Sequence, residues 1–282
     1  MNDLSIIIVN FKSSRVLREC LLSLRETNIN GGFEIIVYDN GPEDTQLNCL
    51  VKEFTRIKFI SKDRFLSFGA ANNRAAEHAT GRYLMFLNPD TYVEPGSINN
   101  LLRFIEGEYR TGAAGPRLLD KNGNVERSFG RDPGIFSEAR EKIIRSLPKS
   151  MQNYLLTPGN PRIVDWISGA AMIVKREVFE SIGGFDEHYP LYFEDADLCR
   201  RIRISGWRIC YYPVPEIIHF RGAAGGVNTD QDKTKLSDSY LKYRQSQLRY
   251  YSKYRGKIQN MLLRIYLGFR LRKSQKSHLK KM

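Results

Sequence analysis

The sequence predicts an α/β protein whose core is a mostly parallel, doubly wound sheet. Short apolar runs rich in β-branched residues recur without polar alternation, as strands buried on both faces require. Segments of helical periodicity stand between them, and Asn10, Asp39 and Asp90 sit at or just past strand ends. In such sheets ligands bind outside the carboxyl ends of the strands, so these polar positions converge on the expected ligand edge.

Ser5 to Asn10 (SIIIVN) reads as the first strand. Ser14 to Leu24 follows with Val16, Leu17, Leu21 and Leu24 at helical spacing, and Ser13 or Ser14 supplies an N-cap. Phe33 to Tyr38 (FEIIVY) is a second buried strand that ends in the turn signal Asp39-Asn40-Gly41-Pro42. The alternation continues with a helix over Thr45 to Phe54, a strand over Ile57 to Ile60, a helix from about Gly69 to His78, and a strand at Tyr83 to Leu87. Residues 111 to 164 are less regular and read as a functional insertion or mobile segment, with a basic helix near Ser137 to Leu147. Order returns with a strand over Ala170 to Val174, a helix over Arg176 to Ile182 with a Gly-Gly stop, and a strand-like run at Glu216 to Ile218.

Of 282 residues, 41% are hydrophobic and 27% charged, the balance of a soluble chain with a sizeable core. No apolar run nears the roughly 20 residues of a membrane span, and no signal peptide is evident, so a cytosolic protein is expected. Four scattered cysteines without CxxC pairs read as reduced packing residues. The net charge of +13 lies entirely beyond Tyr240, where 13 Lys and Arg meet no acid, so a neutral body carries a cationic tail.

Several constellations carry chemistry. Asp39 either caps its turn or accepts a hydrogen bond from a nucleobase or ribose. Ser67 to Arg74 (SFGAANNR) opens a helix with small and amide residues, which suits either a phosphate or close packing. The G-x-G-x-x-G dinucleotide fingerprint is missing after the first strand, which disfavours a nicotinamide or flavin enzyme. Asn88-Pro89-Asp90 offers hard oxygen ligands for Mg²⁺ or Mn²⁺ against a diphosphate, or else a structural turn. Glu194, Asp195 and Asp197 crowd the start of a helix, where a dipole-capping role competes with a raised pKa suited to a general base. His219 is either a packing residue or a third metal ligand.

Taken in order, SIIIVNF, VYDNG, SFGAANNRA, FLNPD, WISGAAMIV, YFEDADLCRR and IIHFRG resemble the GT-A glycosyltransferases of family 2, most closely their rhamnosyltransferase-like branch, over Leu4 to about Gly226. The resemblance implies a GT-A fold over residues 1–230, beyond which residues 231–282 read as a basic amphipathic helical tail. It also implies inverting transfer of one sugar, rhamnose being the candidate, from a dTDP- or UDP-sugar to a lipid-linked or polysaccharide acceptor in bacterial cell-surface glycan synthesis. By motif position it makes Asp195 the general base. Asn10, Asp39, Gly69, Asn72, Asn73 and Asn88 become donor residues, Trp166, Gly169, Glu194 and Asp197 acceptor residues, and Asp90 and His219 metal ligands for Mg²⁺ or Mn²⁺. Asn88 stands where the family's usual pair has an acid.

In the tail, Ile258, Met261, Leu262, Ile265, Tyr266 and Phe269 share a helical face beside Lys257, Arg264, Arg270, Arg272 and Lys273. Such a helix lies on an anionic membrane, packs on the catalytic body, or binds nucleic acid; the neutral body offers no matching basic groove for the last. The combined expectation is a cytoplasmic enzyme, peripheral on the inner face of the cell membrane, with no nucleic-acid partner and a possible homo-oligomer. A sugar nucleotidyltransferase and a nucleic-acid-binding protein are the rival readings. The first needs a triphosphate-binding glycine loop after the first strand, where Asn10 to Ser14 stands instead.

Overall fold

The computed structural model describes residues 2–42, 44–61, 64–148, 151, 159–220 and 238–279, with the backbone alone at 145 and 269–279. The chain runs β1 (Leu4–Asn10), α1 (Ser14–Glu26), β2 (Phe33–Asp39), α2 (Thr45–Glu53), β3 (Lys58–Ser61), α3 (Phe68–Ala76) and β4 (Tyr83–Leu87). It continues with β5 (Thr91–Val93), α4 (Ser97–Gly107), β6 (Thr111–Leu119), β7 (Val125–Glu126), β8 (Phe129–Gly130), α5 (Ile135–Ser146), β9 (Arg162–Val164) and β10 (Trp166–Ile167). Then come β11 (Ala171–Lys175), α6 (Arg176–Ser181), α7 (Glu194–Ile204), β12 (Arg208–His219), α8 (Asp238–Tyr254) and α9 (Lys257–Leu279).

The main sheet has the order β3-β2-β1-β4-β11-β6-β12-β5. Its first four strands are parallel, as the buried apolar runs require, and β6 and β12 are also parallel. β11 is antiparallel to both β4 and β6, and β5 is antiparallel to β12. The order around β1 reverses direction between β2 and β4, so the switch-point crevice opens at the ends of β1 and β4, where Asn10 and Asn88 lie. Leu4, Ile6 and Ile8 face the helices α1, α2 and α4, while Ile7 and Val9 face α3, α6 and α7. Burial of β1 on both faces is thus the period-two geometry of a strand sandwiched between helix layers.

Residues 111–164 depart from expectation. They begin with a nine-residue strand, β6, in the interior of the sheet rather than with an insertion. Its sequence TGAAGPRLL lacks β-branched bulk because neighbours press close. A Cβ at Gly112 would stand 2.8 Å from Trp207 Cβ and 2.9 Å from Ile202 Cγ2, and one at Gly115 would stand 3.1 Å from Ile167 Cβ. β12 is longer than expected because Pro213 and Pro215 sit at its irregularity, between Tyr211 and Glu216, and do not end it.

The expected division near residue 230 and the Gly222 to Gly226 end of the last motif lie outside the described residues, as do the side chains of Phe269, Arg270, Arg272 and Lys273. On the far side, α8 and the start of α9 pack on the body. Tyr250, Tyr251, Leu263 and Leu267 form one core with Tyr189, Phe193 and Ala196.

Candidate active site

Asn10 and Asp39 end neighbouring parallel strands in register. The Asn10 amide donates to Asp39 Oδ1 at 3.0 Å and accepts from the Ser13 hydroxyl at 2.7 Å. The Gly41 N–H also reaches Asp39 Oδ1, at 3.1 Å, so the turn-capping role is real. Among the described residues Asp39 Oδ2 accepts no hydrogen bond, and the residue stays half-buried at the sheet edge. A further amide, Asn40, exchanges two hydrogen bonds with the backbone of Leu66 at 2.9 and 3.0 Å, and so fixes the loop leading into α3.

The Asn88-Pro89-Asp90 turn leaves the fully buried β4 and is pinned by Thr91, whose hydroxyl donates to the Asn88 carbonyl at 2.8 Å. His219 ends β12 opposite Thr91. Its Nε2 stands 3.4 Å from both Asp90 Oδ1 and Asn88 Nδ2, while its Nδ1 stands 3.1 Å from Glu126 Oε2. Asp90 and His219 are both buried. Burial alone would lower the imidazolium pKa, but hydrogen bonds to Asp90 and then Glu126 outweigh it and raise it to about 9. Glu126 was not singled out by sequence because β7 is only two residues long and its acid belongs to no motif. Its one signal was a lone carboxylate between a turn and an aromatic strand.

The acid pair opens α7. Asp195 Oδ2 accepts the Gly169 N–H at 3.2 Å and Oδ1 accepts the Ala196 N–H at 2.7 Å. Glu194 is 6% exposed, and its Oε2 has no hydrogen-bond partner among the described residues. Burial, then the neighbouring Asp195 charge, raises Glu194 to about 8. Burial also raises Asp195, opposed by its two backbone donors. Adjacent carboxyls out of water cannot both ionise easily. The first charge settles on Asp195, which has N–H donors to hold it, and Glu194 keeps the proton.

One dipeptide joins this pair to the β4 turn. Gly169 gives its N–H to Asp195, and the carbonyl of Ala170 accepts the Asn88 N–H at 2.9 Å. A Cβ at Gly169 would be 3.5 Å from Asp195 Cβ and 3.9 Å from Phe68 Cε1, which places the start of α3 beside the pair as well. The sheet edge therefore presents a carboxylate-imidazole corner and a buried carboxyl pair joined through one dipeptide.

Other expected site residues are spent on structure. Gly69 lets α3 approach Phe185, whose Cβ would meet a new Cβ at 3.1 Å. Asn72 is buried and donates back to the Phe68 carbonyl. Asn73 clamps Phe185 through both its N–H and its carbonyl, and also reaches Glu187. With their amides turned to these partners, Asn72 and Asn73 tie α3 together and to the Phe185 segment in this structure. Asp197, expected on the acceptor side, is fully buried and saturated by Arg201, Lys253, Tyr189 and Tyr254 at 2.6 to 3.2 Å. Trp166 is half-buried, donates to the Arg131 carbonyl and lies under the Arg127 guanidinium. A cavity of about 460 Å³ opens near Tyr38, Ser61, Arg64 and Arg74, but none of Asn10, Asp39, Asp90, Asp195 or His219 lines it.

The tail braces the acid pair. Tyr192 and Phe193, immediately before Glu194, both take left-handed backbone at φ 68°. For bulky residues this costs about 1–3 kcal/mol each, so surrounding contacts must enforce it. α8 supplies them: Ser246 donates to the Leu191 carbonyl at 2.7 Å, and the Phe193 ring packs on Tyr243 and Tyr250 at 5.3 and 5.5 Å. Asp132 adds a second tie, pairing with Arg200 of α7 and with Arg255 and Tyr250 of the tail.

Comparison with known proteins gives the same outline. The model for glycosyl transferase family 2 matches residues 5–183, and that for an N-terminal domain of galactosyltransferase matches 161–222. An N-acetylglucosaminyl-diphospho-decaprenol L-rhamnosyltransferase of Mycobacterium tuberculosis is 29% identical over 209 residues, 68% of each chain. The rhamnosyltransferase WbbL of Escherichia coli is 25% identical over 76% of this chain and 82% of its own. Among solved structures, GalNAc-T7 with UDP, GalNAc and Mn²⁺ superposes with a TM-score of 0.65 at 16% identity, over 89% of this chain. The chain spans 48% of that larger protein.

Proposed function

The chain belongs to glycosyltransferase family 2 and has the GT-A fold, and from that premise we propose that it transfers one sugar, rhamnose, from a dTDP- or UDP-sugar to a lipid-linked glycan with inversion at the anomeric carbon. Sugar transfer in cell-surface glycan synthesis is what its relatives share; the sugar, the acceptor and the residue roles are the proposal. The observation that carries it is the Gly169-Ala170 dipeptide, which holds Asp195 on one side and the Asn88-Asp90 turn on the other. A base and a diphosphate-facing corner on one rigid strand junction suit a displacement in which a hydroxyl attacks as a nucleoside diphosphate leaves.

The β4 corner fits a divalent ion. Asp90 would supply a carboxylate and His219 its Nε2, whose proton the ion would have to displace, with Glu126 on the other ring nitrogen in the outer-shell arrangement typical of metal-ligating histidine. Among the described residues no group of three His, Cys, Asp or Glu could hold an ion alone. Mg²⁺ commonly binds through one or two carboxylates plus substrate phosphates. When bound, the ion offsets diphosphate charge. Asn88 adds no charge of its own, and its amide would donate to a phosphate oxygen.

Asp195 takes the proton of the acceptor hydroxyl. Its ionised form is held by two backbone N–H groups, and its raised pKa makes it a stronger base than an exposed carboxylate. Glu194, neutral at pH 7, supplies a hydrogen-bond donor for a sugar hydroxyl without adding a second charge beside the base. Asp39, through Oδ2, and Asn10 face the nucleoside at the ends of β2 and β1. Trp166 and Gly169 border the acceptor.

A panel of nucleotide sugars tests the reading. With Mn²⁺ present, the true donor raises the melting temperature by mass action, about 3 kcal/mol of stabilisation at a hundredfold excess over Kd. Transfer to a polyprenyl-diphosphate N-acetylglucosamine then reads the acceptor. A dTDP- or UDP-sugar shift supports the proposal; stabilisation by none of them sinks it.

A further inference from the structure

Among the described residues, α9 carries an apolar face that the fold leaves uncovered. On α9, Ile258, Met261, Leu262 and Ile265 are 47% to 71% exposed, while Leu263 and Leu267 on the opposite side are buried against the body. The stripe is therefore distinct from the one that attaches the helix. α5 runs beside it in the same direction. The Ile135 N–H reaches Gln259 Oε1 at 3.4 Å, and Lys142 Nζ lies 5.2 Å from the Tyr266 ring centroid. Both contacts pair a residue with the one 124 positions later, so the helices stay in register over two turns. α5 adds Phe136, 83% exposed, and Ile143, 64% exposed, one heptad apart.

The charges of the two helices are sorted by side. Both acids of α5 turn inward: Glu138 accepts from Gln247 and Tyr251, and Glu141 pairs with Arg127. Arg140 and Lys142 stay exposed on α5, and Lys257 and Arg264 on α9, which has no acid along its length. Apolar side chains ringed by cations, with the anions withdrawn, complement the headgroup region of an anionic bilayer.

We propose that α5 and α9 form a two-helix platform that docks the protein on an anionic lipid bilayer. α8 ties that platform to the catalytic helix. Lys253 bonds Asp197 of α7 at 2.7 Å, and Arg255 bonds the Pro133 carbonyl just ahead of α5 at 2.7 Å. Docking thus holds the acid pair at a fixed height and tilt above the lipid surface. The proposal deepens the reading of a lipid-linked acceptor, but its test needs neither donor nor acceptor.

Full-length protein is floated with vesicles of phosphatidylcholine and phosphatidylglycerol, and with phosphatidylcholine alone. Binding to the anionic vesicles only is expected. Phe136→Ser with Ile143→Ser, far from the tail in sequence, is expected to lower partitioning at least tenfold with unchanged melting temperature, and Lys142→Ala about fivefold, one basic contact. Val214→Ser, which removes an exposed apolar residue elsewhere, is expected to leave partitioning as it was. Equal flotation of the Phe136 and Ile143 double variant overturns the two-helix platform. So does a wild-type protein that ignores anionic vesicles, or one whose double variant only turns a dimer into a monomer in light scattering. A failed nucleotide-sugar shift with intact vesicle binding would instead count against the donor reading alone.

Discussion

Replacing Glu194 by Gln substitutes an isostere of the protonated acid at a site where the carboxyl is buried and its Oε2 unpartnered. Its pKa in the folded chain is raised from 4.5 to about 8, chiefly by burial and then by Asp195. A group with a raised folded pKa stabilises fully below its unfolded value, and that contribution is lost as pH rises through the folded value. The window therefore runs from about pH 4.5 to about pH 8. Each pH unit inside it removes about 1 kcal/mol, so wild type loses at most about 3 kcal/mol between pH 5 and 7.5. Sharing of the proton with Asp195 brings the expectation to about 2 kcal/mol. Urea unfolding of both proteins across this range, with chelator present, measures it. His219 titrates in both proteins, so the difference between the two curves isolates Glu194. The Gln variant should gain on wild type steadily as pH rises; parallel curves would refute a neutral Glu194.

Further outcomes follow from the same geometry. Glu126→Gln should weaken Mn²⁺ binding 10- to 100-fold in calorimetry, because the ring nitrogen opposite the metal loses its carboxylate; unchanged affinity would leave Glu126 a packing residue. Asp197→Asn should lower the melting temperature by the equivalent of about 2–4 kcal/mol, since Arg201 and Lys253 then face a neutral amide, while acceptor KM stays the same. An altered KM with unchanged stability would support the acceptor role instead. Gly112→Ala should cost about 1–3 kcal/mol in urea unfolding, because its Cβ meets Trp207 and Ile202.

The parallel half of the sheet was legible because β1, β2 and β4 are buried on both faces and say so in unbroken apolar runs. β6 was not, since its glycines answer to Trp207, Ile202 and Ile167, contacts 52 or more residues away in sequence. The same distinction runs through the site. Asp90, Asp195 and His219 sit at element ends whose position the local pattern fixes. Asn73 and Asp197 look identical to ligands in sequence, and only the fold reveals that Phe185 and Lys253 already occupy them. Glu126 reaches His219 from a two-residue strand, which no periodicity can announce. The tail carried two messages in one helical repeat: Leu263 and Leu267 bury, while Ile258, Met261, Leu262 and Ile265 face outward.

The central claim is that Asp195 accepts the acceptor's proton while taking no part in holding the donor. Single-turnover transfer and donor calorimetry on Asp195→Asn, with Mn²⁺ and the donor identified by thermal shift, test it together. The account predicts donor affinity within about twofold of wild type and transfer slowed by about 10²- to 10⁴-fold, the usual contribution of a general base. Transfer at near wild-type rate would contradict it.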